Sequence, residues 1–141
     1  MVVSSVIMDV EPFYYLFISP NADGSLHGFF HTYAGVAILA ILVGLILVLW
    51  RKRIDGVMNS LNLNQAGLSS EKIFFSSLFA AFSHVFLDSF MHWDLKPFWP
   101  FSNANPFLGS VDVVSLHAVL FLALLVSVIL VFKAFLSKRA R

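Results

Sequence analysis

Two pairs of residues in this 141-residue chain stand four apart and are of types that bind metal ions, His27 with His31 and His84 with Asp88. On a helix, side chains at i and i+4 share one face about 6 Å apart, so each pair can converge on one ion or line one wall of a cavity. His92 lies one further turn beyond Asp88, which makes His84, Asp88 and His92 a single stripe. Imidazole with carboxylate suits zinc, or another divalent ion such as manganese, and the absence of cysteine removes thiolate-zinc and iron–sulfur centres. A water bound to such an ion has its pKa lowered to about 7, which makes it a nucleophile toward an ester or phosphoester.

The elements that must carry these residues are apolar. Only 12% of the chain is charged, against about 25% for a soluble globular domain, which points to a small integral membrane protein. The same scarcity of charge excludes a disordered tail and a basic nucleic-acid binder, and the lack of cysteine excludes a disulfide-stapled module. The expected fold is all-α: a multi-pass transmembrane helical bundle forming one domain over residues 1–141, with spanning helices at 32–50, 73–93 and 113–136. Residues 1–31 form an N-terminal acidic and histidine-bearing segment. Asp9, Glu11 and Pro12 divide its apolar start into two runs too short to span, so a helix or broken helix packed against the bundle is expected there. It has no basic leader or small-residue cleavage site of a signal peptide. Residues 54–70 read as a cytoplasmic loop or short interfacial helix. Three prolines at 97, 100 and 106 break the chain after the second span, where Phe98, Trp99 and Phe101 suit an aromatic belt.

Basic residues fix the expected orientation, because they are retained on the cytoplasmic side. Arg51, Lys52, Arg53 and Lys72 flank the first loop, and Lys133, Lys138, Arg139 and Arg141 accompany the end of the last span. Lys96 is the one basic residue on the opposite side, so the N-terminus is expected outside and the C-terminus in the cytoplasm. All five histidines and six of the eight acids, Asp9, Glu11, Asp23, Asp88, Asp94 and Asp112, then gather at the outer end. An anionic substrate there would draw most of its counter-charge from metal ions.

Plainer roles compete with chemistry at several of these positions. His92 and His117 suit interfacial polar residues as well as a proton acceptor or a group supporting the ligands. Asp23, Asp94 and Asp112 flank turns and helix starts and read as caps. The pair His84 and Asp88 is the least ordinary, since ionisable groups inside a span cost about 2.5–3.5 kcal/mol each on insertion scales. The phenylalanines of the second span, at 74, 75, 79, 82, 86 and 90, read as lipid or bundle packing. Ala40 and Gly44 would permit close helix association.

Four segments taken in order, SVIMDVEPF (5–13), LHGFFHT (26–32), FSHVFLDSFMHW (82–93) and KPFWPFS (96–102), resemble the family of membrane-bound metal-dependent hydrolases of the YdjM type. The resemblance covers about 100 residues. It implies metal binding by Asp9, His27, His31, His84 and Asp88, with Glu11 at the family's second acidic position. A distant similarity of that family to zinc-dependent phospholipases C and related nucleases implies a phosphoester substrate by analogy. The chain departs from the pattern in three ways. Met8 replaces a proline before the acid, His27 and His31 are one residue closer than usual without an Arg after the first, and the chain begins eight residues before Asp9. The last reads as a misassigned start or a shortened member.

These readings lead to a metal-dependent hydrolase opening at the outer membrane face, with Asp9, Glu11, His27, His31, His84 and Asp88 as ligands and His92 or His117 assisting. Membrane lipid and an ester or phosphoester small molecule or lipid are the expected partners, with no nucleic acid. The alternatives are a haem-bearing membrane anchor with histidine ligands and a non-catalytic metal-binding membrane protein.

Overall fold

The structure is a computed structural model that describes residues 2–60 and 69–139. All regular structure among the described residues is helical, as expected from the sequence. The N-terminal segment is a broken helix: α1 (Val2–Val6), a 3-10 turn (Ile7–Asp9) and α2 (Val10–Phe17). Pro12 is accommodated because it stands in the first turn of α2, where a backbone N–H would have no intrahelical acceptor. The break turns Met8 inward, and this side chain joins Val36, Ala40, Ala81, Val85 and Leu95 in the core.

Thr32 starts α3 (Tyr33–Leu49). Its backbone is extended, and its hydroxyl accepts from the Gly35 N–H at 2.9 Å. The helix ends at Trp50, where α4 (Arg51–Ser60) departs at 65°, with the Arg53 guanidinium 4.9 Å from the Trp50 ring centre. Of the loop or short helix expected over 54–70, residues 54–60 are helical, and residues 61–68 lie outside the described residues.

Ser69 caps α5 (Ser70–Asp88), which returns antiparallel beside α3. Near one end Tyr33 stacks on Phe82, with centroids 5.7 Å apart, and toward the other Gly44 faces Phe74. A Cβ at Gly44 would lie 2.8 Å from the Phe74 ring, so the close approach needs glycine there. Ala40 and Gly44 are thus used inside this hairpin, against Ala81 and Phe74, and are covered by it. Phe75 and Phe79 point outward and are exposed.

Leu95 and Pro97 return the chain over the hairpin end, where the Tyr33 N–H donates to the Pro97 carbonyl at 2.8 Å. Asp112 then caps α6 (Val113–Arg139) by accepting from the Ser115 N–H at 2.8 Å. The apolar window of α6 is not covered by any other part of the described chain.

The expectation of three spanning helices needs correcting. Among the described residues only Val113–Lys133 is by itself long and apolar enough to cross a bilayer, with a second crossing if the bent pair α3 and α4 is one span. The 17 residues of α3 rise about 26 Å before the bend, short of the roughly 30 Å hydrocarbon core. Serines, His84, Asp88, Glu71 and Lys72 dilute the hydropathy of α5, and its helix stops at Asp88, short of residue 93. Apolar run length overestimated the spans because Ser77 is buried in the hairpin interior, His84 and Asp88 lie at its polar end, and Glu71 and Lys72 stand exposed at the start of α5.

Candidate metal centre

The antiparallel pairing of α3 and α5 sets the start of one beside the end of the other, so that residues 27–32 and 84–95 meet. The break in the N-terminal helix adds Asp9 and Glu11 to the same end. Four imidazoles follow one another there: the rings of His92 and His27 lie 4.3 Å apart, those of His27 and His31 4.7 Å, and those of His31 and His84 5.8 Å.

Two of these rings are clamped through Nδ1. The His31 Nδ1–H donates to Glu11 Oε2 at 2.9 Å, and the His27 Nδ1–H donates to Asp94 at 3.0 Å. With the ring proton held on Nδ1 by the accepting carboxylate, each neutral ring presents a bare Nε2 on its far side. Carboxylate–histidine pairs of this kind orient metal ligands and raise their basicity. His31 is fully buried, and its Nε2 has no hydrogen-bond partner. A buried acceptor left without a donor costs free energy unless a cation meets it.

The clamping carboxylates are themselves held by backbone. Glu11 also accepts from the N–H groups of Gly28 (3.0 Å) and Phe30 (3.2 Å), and Asp94 from those of Leu26 (2.6 Å) and His27 (3.0 Å). Gly28 leaves the room this needs, because a Cβ there would sit 2.6 Å from Glu11 Oε1. Burial pushes the Glu11 carboxyl up, but the hydrogen bonds from His31, Phe30 and Gly28 outweigh it and hold the group below its ordinary value. Asp94 is lowered in the same way, burial being outweighed by the bonds from Leu26, His27 and the His27 ring. For His27, burial pulls the pKa down and prevails over the bond to Asp94, which favours the neutral imidazole a metal requires.

His84 is arranged differently. Its Nε2 lies 3.0 Å from Asp88 Oδ2 and 3.2 Å from Asp9 Oδ1, yet it is buried without an aligned hydrogen bond. Both carboxylates can share a proton on this nitrogen, and Asp9 and His84 are also near enough to share a cation. Three sets of ligand atoms each lie within 4.8 Å of one another: Asp9, His31 and His84; His27, His31 and Asp88; and His27, His92 and Asp94. Nitrogen and oxygen donors without sulfur fit zinc or manganese. Asp9, His31, His84, His27 and Asp88 would be the holding residues.

The structure thus gathers Asp9, Glu11, His27, His31, His84, Asp88 and His92 at one place. Where the sequence put Glu11 among the ligands, both of its oxygens are engaged by His31 and the backbone, so it orients the His31 ring and is in none of the three sets of converging ligand atoms. His117 is not brought to the cluster. It is exposed on α6, its Nδ1–H donating to the Val113 carbonyl one turn back at 2.8 Å. Asp23 and Asp112 make the expected local turn and cap, accepting from the N–H groups of Ser25 and Ser115. Asp94, read from the sequence as another such group, clamps His27 across 67 residues instead. Its one sequence signal was its position two residues after His92.

No curated protein and no solved structure matches the chain. The YdjM inner membrane protein family matches it over residues 4–140. With that match running almost from end to end, the chain belongs to the YdjM inner membrane protein family.

Proposed function

We propose that this protein is a membrane-bound, metal-dependent hydrolase acting on an ester or phosphoester. The observation that carries the reading is the buried, unpartnered Nε2 of His31, aimed into a cluster where Asp9 and His84 offer ligand atoms and Glu11 fixes the ring from behind. A divalent ion, zinc or manganese, supplies Lewis acidity and lowers the pKa of water when bound. The chain's own residues provide the rest. Asp9, His31, His84, His27 and Asp88 hold the ion, Glu11 and Asp94 keep two imidazoles in the tautomer that leaves Nε2 bare, and His92 beside His27 takes up a proton at the rim. The hairpin also supports a direction in the membrane. Arg51, Lys52, Arg53 and Lys72 lie at the end opposite the cluster, so the histidine end and the N-terminus face outward and the C-terminus the cytoplasm.

Metal analysis of the purified chain beside a His84→Ala, Asp88→Asn double variant tests this. Expected is stoichiometric zinc or manganese in the parent, a content reduced about ten-fold or more in the variant, and metal-dependent hydrolysis of p-nitrophenyl phosphate or acetate only by the parent. Equal, near-zero content in both overturns the reading of a metal centre. Bound metal without turnover on either ester overturns the hydrolase.

A further inference from the structure

A cavity of about 210 Å³ lies against the candidate centre, lined by His27, Gly28, Phe29, Thr32, Lys96 and Trp99. His27 belongs to both: it shares ligand geometry with His31 and Asp88, and its ring also forms part of the cavity wall. Trp99 packs edge-on against Phe29, with centroids 5.9 Å apart, and gives the cavity an apolar side. Lys96 is the single basic residue in the stretch from Ile73 to Phe132, and it makes no ion pair among the described residues. Of the acids near it, Asp23 and Asp94, the first feels its charge without coming within ion-pair distance, and both carboxylates have closer partners. Asp23 accepts from the Ser25 N–H and hydroxyl at 3.0 and 2.7 Å, and Asp94 is filled by Leu26 and His27. An exposed ammonium at the wall of a cavity, with no carboxylate at ion-pair distance among the described residues, gives that cavity a preference for anions that its carboxylate-rich surroundings lack.

We propose that this cavity receives the phosphate group of the substrate, and that Lys96 is the residue that selects a phosphoester over a neutral ester. The inference rests on the hydrolase reading for its purpose, but its binding step does not require turnover. The shared chemistry is a phosphate monoester dianion, carried either by a lipid headgroup or by a soluble molecule. Lys96 donates charge-assisted hydrogen bonds to its oxygens while His27, on the same wall, joins it to the centre.

The test reads Trp99 fluorescence in full-length protein in detergent, with Trp50 and Trp93 replaced by Phe, during titration with inorganic phosphate and, separately, with dihexanoyl phosphatidic acid. Expected is a saturable change with at least one probe, weakened about ten-fold or more by Lys96→Met and restored by Lys96→Arg, as loss and return of charge-assisted hydrogen bonds predict. Tighter binding of the lipid assigns the phosphate to a headgroup, and equal or tighter binding of inorganic phosphate assigns it to a soluble ester. Lys96 is exposed, so the variants keep the parent's thermal midpoint. No saturable change with either probe, or a Lys96→Met titration matching the parent's, overturns the proposal. Failure of the hydrolase reading appears separately, as missing metal or missing turnover, with the phosphate titration unaltered.

Discussion

His84 and Asp88 face each other because they stand one turn apart on α5, whereas His27 and His31 lie outside any α-helix and take their orientation from carboxylates 67 and 20 residues away. The helical half of the centre needs only the regular geometry of the backbone to bring two donors together. The other half needs the tertiary fold, since Glu11 arrives on α2 and Asp94 on the turn after α5. Side-chain orientation at the candidate centre therefore has one locally encoded part and one part that exists only once the chain has folded.

Breaking the clamps sets that contrast against measurement. Glu11→Ala leaves the His31 Nδ1–H and two backbone N–H groups without their acceptor, and it is expected to cost about 10–100-fold in zinc affinity by chelator competition. Its folding stability should fall by about 3 kcal/mol, because buried donors are left unsatisfied. Asp94→Ala should follow in the same direction with a smaller loss, since His27 is less buried than His31. Affinities within two-fold of the parent for both variants would show that helix spacing alone positions the ligands.

Acid separates the same groups by their titration. Glu11 and Asp94 are held below their ordinary values of 4.5 and 3.8, so the stability they contribute is full above those values and is lost as pH falls through their lower folded ones. His27 is lowered from 6.5. Below that pH the unfolded chain takes up a proton that the folded chain does not, so stability already declines from there. Thermal midpoints of metal-free protein are expected to fall gently from about pH 6.5 and steeply below about pH 4. A midpoint that rises between pH 6.5 and 5 would mean that a histidine held in its charged form, His84 beside Asp88 and Asp9, outweighs His27.

The smallest effect is expected at His117. It bonds only within its own helix and is exposed, so His117→Ala should change stability by no more than about 0.5 kcal/mol and leave the metal content unchanged. A loss of metal in this variant would bring α6 into the centre and end the contrast between the hairpin and that helix.

What the sequence disclosed follows the same division. The His84 and Asp88 pair, the broken N-terminal helix, the turn at Asp23 and the cap at Asp112 were legible because each depends on neighbours within about one helical turn, whereas the shared helix face expected for His27 and His31 is not formed, since both lie outside any α-helix. The part of Asp94 was not, because a cap and a long-range clamp use the same residue type and the same kind of turn. Glu11 was recognised as part of the site but given a ligand's place, since spacing along a chain does not say which donors will occupy a carboxylate. Apolar run length misjudged α5, where buried Ser77, the polar-end residues His84 and Asp88 and the exposed Glu71 and Lys72 interrupt the hydropathy a span requires.

Nothing in the described chain covers the apolar window of α6, and that bareness has a kinetic meaning. A helix that spans the bilayer confines the attached hairpin to a layer a few nanometres thick. Ligands dissolved in the same layer then meet the hairpin in two dimensions, at a raised effective concentration. A centre confined in this way can work with weak intrinsic affinity for a lipid-borne molecule, because the membrane has already done the concentrating.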